Sequence, residues 1–177
     1  GNPRKKVGQL LEQELLLSLL REPNTVIALD KGYGEKELHY SNSLLKVVRQ
    51  NEYATEDVSF TAEFNSDISS GVIGLQTGIG EIAAIIANCD EYIGYDSACQ
   101  HIAAALQIPC LTIFGGSNNM RFIRRWSAFG ANSCRMVHVD TLSDPTAIDV
   151  EDIIVRIMHE RRMQDRPRIE DSINGIC

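Results

Sequence analysis

Residues 91–116, EYIGYDSACQHIAAALQIPCLTIFGG, constrain the fold more than any other part of the chain. Tyr92-Ile93-Gly94-Tyr95 has the length and apolar content of a short buried strand. Asp96-Ser97-Ala98 turns the chain, and Gln100 to Leu106 reads as a helix with Ile102, Ala105 and Leu106 on one face. Ile108-Pro109 ends that helix. Cys110 to Phe114 is a second apolar run of strand length, stopped by Gly115-Gly116. Strand, turn, helix, strand is the parallel βαβ unit. It predicts an α/β fold: a Rossmann-like parallel sheet flanked by helices.

The turn carries the chemistry. A helix beginning straight after a strand directs unpaired N–H groups, and the positive end of its dipole, into the crevice at the strand's carboxyl end, where an anion is favoured. Asp96 and Ser97 are both good caps, since each can accept a bond from a first-turn N–H. The small residues Ala103, Ala104 and Ala105 let the helix lie close to the sheet. On local pattern alone, the same residues also describe a capped helix in an α/β core, with Asp96 a cap and nothing more.

The pattern D-S-A-x-Q-H-x-A-A-A-L, then x-x-P, then an apolar strand ending Phe-Gly, resembles the donor-site motif of the heptosyltransferase-like glycosyltransferases, family nine. Asp96, Ser97 and His101 match at the motif's spacing, and Ala98 stands where the family usually has Gly. The extra methyl lies where a backbone would approach phosphate closely. The resemblance is nearly continuous from Thr77 to Gly116; elsewhere it rests on order and spacing. It implies one half of a GT-B architecture, the donor-binding C-terminal half, with the nucleotide-sugar contacted by Asp96, Ser97, Ala98, Gln100 and His101. It also implies an inverting reaction without metal or cofactor, related to lipopolysaccharide biosynthesis. The general base belongs to a partner acceptor domain on the N-terminal side, so no catalytic residue is expected in this chain, and no turnover from it alone.

Net charge is −7, which argues against broad binding to nucleic acid or to anionic membranes. With 44% hydrophobic and 23% charged residues, the composition is that of an ordinary globular domain. No apolar run reaches the length of a membrane span, and no signal peptide is visible. A cytoplasmic protein is expected, with at most peripheral membrane contact through the full-length protein. The first residues, Gly1-Asn2-Pro3, read as a processed end, a tag scar or an excised domain. Five cysteines (Cys89, Cys99, Cys110, Cys134 and Cys177) form no CxxC pair and no zinc spacing, so free thiols are expected.

Residues 1–163 are expected to form the nucleotide-sugar-binding domain and 164–177 a polar tail. Arg4, Lys5 and Lys6 make a basic cluster that reads either as a solvated terminus or, by the resemblance, as the place of a Lys that reaches donor phosphates (Lys5 or Lys6). Val7 to Leu20 predicts a helix and Thr25 to Leu29 a buried strand. Asp30-Lys31-Gly32-Tyr33-Gly34 then forms a loop at a strand's carboxyl end, where open α/β sheets carry ligands. It lacks the third glycine of a dinucleotide fingerprint. Glu35 and Glu37 open a helix to about Gln50. They complement its dipole or, by the resemblance, one binds the nucleoside, with Glu37 ahead of Glu35.

Residues 51–70 say least; Val58 to Phe64 alternates like a strand or hairpin arm. Val72 to Leu75 predicts a strand and Ile82 to Asn88 a helix, with Thr77 or Gly78 as N-cap. By the resemblance this loop touches base and ribose. Arg121, Arg124 and Arg125 form a solvated basic face or meet an acidic group on a partner domain. Arg135 to Val139 is the last strand. The final helix opens after Pro145 and turns Ile153, Ile154, Ile157 and Met158 inward. His39, His138 and His159 are read as structural. Two other functions stay open: a nucleotide-binding module without catalysis, and a sugar-nucleotide epimerase-like enzyme, which would need acids and bases within its own site.

Overall fold

The computed structural model describes residues 7–59, 67–130 and 134–164. Lys5, Lys6, Cys177 and most of the expected tail therefore lie outside the described residues. The chain divides into two compact units, the first Val7–Asn88 and the second from Cys89 onward.

The first unit is built from α1 (Gln9–Leu20), β1 (Val26–Asp30), α2 (Glu35–Gln50), β2 (Ala54–Ser59), β3 (Gly71–Gln76) and α3 (Ile79–Ile86). Its three strands are parallel, in the order β1-β3-β2, with Ile27 and Thr55 both aligned on Val72. The last strand in sequence is thus the central one, and every residue from Gly71 to Leu75 is buried. Leu16 and Leu20 of α1, and Leu44, Leu45 and Val48 of α2, form one core with Val72 and the half-buried Ile27 and Leu29. Each such leucine, fully buried, contributes about 2 kcal/mol. β1 is an edge strand whose residues alternate between exposed and half-buried, so the expectation of a buried strand there is corrected.

β2 was not expected. Its sequence ATEDVS is polar because only one of its edges is paired and its residues are exposed or half-buried, so it carries little of the apolar signal that marks strands. The expected arm from Val58 to Phe64 meets the structure only at Val58 and Ser59, the rest lying outside the described residues.

The second unit contains β4 (Tyr92–Tyr95), α4 (Ala98–Ala105), β5 (Cys110–Phe114), α5 (Met120–Trp126), β6 (Cys134–His138) and α6 (Val150–Gln164). The strands are again parallel, here in sequence order β4-β5-β6. Tyr92 aligns on Cys110 and Tyr95 on Ile113, so the βαβ unit expected from residues 91–116 is present. β5 is central and wholly buried, and Ile153 and Ile157 of α6 are buried as expected. α4 buries Gln100, Ala103 and Ala104, not the face carrying Ala105 and Leu106, both exposed. A polar residue took the inner position because its every hydrogen-bonding group finds a partner there. Gly130 must lack a side chain where it meets this helix: a Cβ there would lie 2.6 Å from the Ala104 carbonyl oxygen.

Among the described residues no helix is long and apolar enough to cross a membrane. Cys89, Cys99, Cys110 and Cys134 are not joined to one another by disulfides. Burial pushes the Cys110 thiol up to about 11, against a lowering by its bond with Thr112.

Candidate functional site

In the second unit the Asp96–Ala98 turn lies at the carboxyl end of β4 and opens α4. Gln100, fully buried, holds it. Its Nε2 donates to Asp96 Oδ1 at 2.9 Å and to the Trp126 carbonyl at 3.0 Å, while its Oε1 accepts from Thr112 Oγ1 at 2.7 Å. Two acceptors on one end and a hydroxyl donor on the other fix the amide's orientation and use both of its hydrogens. Such a satisfied network is rigid, and costly to break in a low-dielectric interior. Gln100 was expected to touch a donor directly. Buried and fully bonded, it presents the Asp96 carboxylate instead, and joins that carboxylate to the end of α5. The sequence offered one signal of this: Thr112 is the single hydroxyl in an otherwise apolar strand, and it is 1% exposed.

Ser97 is the N-cap residue, with extended backbone, but its side chain makes no capping bond. Its Oγ lies 3.3 Å from the Tyr92 hydroxyl, so the expected side-chain cap is corrected. Tyr92 reaches it because its ring lies along the strand over Gly94, where a Cβ would collide with the ring and hydroxyl. Ser97, Ala98 and His101 are exposed at this end of α4 and Asp96 is half-buried. The His101 Nε2 sits 3.4 Å from the Gln100 amide nitrogen, whose hydrogens point elsewhere, which leaves the ring beside the network and open to solvent.

The loops after β5 and β6 knit together at the same strand ends. The Gly116 N–H donates to Thr141 Oγ1 at 2.8 Å, and His138 Nε2 lies 2.8 Å from the Ser117 carbonyl oxygen. Hydrogen bonds from Ser143, with others from Asn118 and the Leu142 N–H, hold the Asp140 carboxyl well below the usual carboxylate range.

In the first unit the loops after β1 and β3 share one edge of the sheet, since Asp30 aligns on Leu75 and the Lys31 N–H donates to the Leu75 carbonyl at 2.9 Å. Gly32 adopts φ +69°, and a Cβ there would lie 2.6 Å from Glu37 Oε2, so a side chain would displace that carboxylate. That Glu37 oxygen accepts from the N–H groups of Tyr33 and Gly34, each at 3.3 Å, which is the glutamate half of a capping box, Gly34 having no side chain to return the bond. Glu37 therefore orders the glycine loop through one of its two carboxylate oxygens. Glu35 lines a groove of about 700 Å³ with Gln9, Lys36, His39, Tyr40 and Ser43, on α1 and α2 rather than at the strand ends. Tyr33 is 60% exposed; its hydroxyl is pushed up by partial desolvation and by the charges of Glu81 and Asp30, so the start of α3 and the glycine loop face the same space.

Gly78 is the N-cap of α3, with no side-chain capping bond. Thr77 before it is 9% exposed and its Oγ1 has no hydrogen-bond partner among the described residues. A buried hydroxyl left unpaired costs about 1–3 kcal/mol, and a ligand oxygen at this strand end would remove that cost. Sequence reasoning missed the ion pair that crosses the sheet here. Lys31 Nζ, its side chain 10% exposed, lies 2.5 Å from Asp57 Oδ1 on β2. The pair passes over Gly74 of β3, where a Cβ would sit within 2.8 Å of Asp57, 2.9 Å of Lys31 and 3.0 Å of Leu45.

The model of glycosyltransferase family 9 (heptosyltransferase) matches residues 59–140, a stretch that includes Thr77, Gly78 and the whole Asp96 turn. The structure resembles the crystal structure of the glycosyl transferase family 9 from Veillonella parvula DSM 2008, with TM-score 0.52 and 15% identity over 89% of this chain and 43% of that one. At that identity the likeness is one of fold: parallel sheets flanked by helices, as in a GT-B-like glycosyltransferase. The chain spans under half the length of that protein. No curated protein matches the sequence.

Proposed function

We propose that this chain binds a nucleoside diphosphate sugar, as the donor-binding part of a glycosyltransferase similar to family 9. One observation carries the reading. Within the stretch matched by the family model, a carboxylate stands at a strand's carboxyl end and is held in place by a fully buried amide. A fixed carboxylate beside the start of a helix suits a sugar diphosphate. Asp96 accepts from sugar hydroxyls, while first-turn N–H groups and the helix dipole take the phosphate. His101, exposed at the same end, donates to phosphate or sugar. Lys5 or Lys6 adds positive charge to the diphosphate.

Inverting transfer in the cytoplasm without a metal, the general base coming from an acceptor domain elsewhere in the full-length protein, completes the proposal. The leaving diphosphate is stabilised by these donors, and this chain alone gives no turnover. Calorimetric titration with ADP, UDP, GDP and their sugars tests it. Binding of one nucleotide series, weakened at least tenfold in Asp96→Ala, is expected. A folded chain whose affinity is the same with and without the Asp96 carboxylate would remove the site from this turn.

A further inference from the structure

Between Asp96 and Asp140 the chain contains no Asp or Glu, although its net charge is −7. In the middle of that stretch stands α5. Asn119 starts it, its side chain accepting from the Arg121 and Phe122 N–H groups at 3.0 and 3.3 Å. Ile123, fully buried, pins one face of the helix, and the other six residues are exposed. At about 100° per residue, Arg121 and Arg125 point directly away from Ile123. Phe122 and Trp126 lie on one flank, Met120 and Arg124 on the other. Phe122 and Trp126 pack ring against ring at 6.2 Å, Arg125 lies 5.9 Å from the Trp126 ring centre, and Phe129 just beyond is 96% exposed. None of the three arginines forms an ion pair among the described residues.

We infer that this face docks the chain on an anionic lipid surface. The arginines radiate from a convex helix, so they do not converge on a single soluble anion, whereas a plane of headgroup phosphates meets all three at once. Phe122 and Trp126, exposed on the flank of that face, suit the boundary between headgroups and acyl chains. A second copy of the chain meeting this face across a two-fold axis would set the three arginines against their own copies, a like-charge contact. The inference does not rest on the proposed donor site. It does place the two side by side, since one Gln100 amide bonds both Asp96 and the Trp126 carbonyl.

Trp126 is the only tryptophan in the sequence, so its fluorescence reports on this face alone. The test is sedimentation of the chain with vesicles of phosphatidylcholine, with and without phosphatidylglycerol, while tryptophan emission is followed. Binding is expected to the anionic vesicles only, with a blue shift, and to weaken as salt rises. Each arginine is expected to be worth about fivefold in partition. The triple variant Arg121→Glu, Arg124→Glu, Arg125→Glu should stay in the supernatant with an unchanged circular dichroism spectrum, and the triple lysine variant should still sediment. Failure to sediment with anionic vesicles, or equal sedimentation of the triple glutamate variant, would overturn the inference. So would a wild-type oligomer that the glutamate variant dissociates, because the face would then be a protein interface.

Discussion

Lys31 and Gln100 do comparable work in the two units by different chemistry. Lys31 follows β1 and reaches across the central strand to a carboxylate on the far strand, at 2.5 Å, with Asp57 half exposed to water. Gln100 follows β4 and reaches the central strand, the turn and the end of α5 with a neutral group that water does not touch. The ion pair has a solvated side that makes up for part of any loss. The amide has none, so losing it takes from the buried Thr112 hydroxyl its Oε1 acceptor with no water to replace it.

The widest gap between the units should appear on removing the amide. Gln100→Leu keeps volume but strands the Thr112 hydroxyl and the Trp126 carbonyl, at about 2–4 kcal/mol. Urea denaturation followed by Trp126 emission, a signal confined to the second unit, reads this directly. Asp57→Asn is the matching cut in the first unit. Lys31 then keeps a hydrogen-bond acceptor but loses a charge partner, for about 1–2 kcal/mol given the exposure of Asp57. Hydrogen exchange at the β3 amides measures it. A larger loss for Asp57→Asn than for Gln100→Leu would reverse the comparison.

The smallest effect sharpens it from within the second unit. Cys110 is fully buried below the same network, and its folded-state value is raised from 9.0 to about 11. The folded chain therefore holds that proton where the unfolded chain has lost it. Stability is full below about pH 9 and falls as pH climbs toward 11, by no more than about 1 kcal/mol near pH 9.5. Urea midpoints at about pH 8 and pH 9.5 should differ less in Cys110→Ala than in the unaltered chain.

What the sequence made legible follows the same division. Residues 92–95 and 110–114 were assigned as strands to the residue; the central β5 is wholly buried and written in apolar residues, whereas β4 is an edge strand that is half-buried throughout, not buried as expected. β2 was invisible for the opposite reason, and α5 was passed over although Asn119 before an Arg-rich run is a helix-start signal. The Asp96 turn was found by its spacing. Its keeper was not, since a glutamine in a helix reads as surface until Thr112 and the Trp126 carbonyl are seen beside it. The cap assigned to Ser97 failed because Gly94, by being empty, let Tyr92 claim that hydroxyl.

The strand orders β1-β3-β2 and β4-β5-β6 also fix when each sheet can exist. In the second unit every new strand finds its neighbour already made, so the sheet can grow as the chain leaves the ribosome. In the first, β1 and β2 share no edge and must wait, side by side but unbonded, until residues 71–76 arrive between them. Early synthesis thus yields two helices and two open strand edges held only by side-chain contacts, the state most open to wrong pairing. β2's run of Thr, Glu and Asp makes that waiting edge a poor template for a stranger.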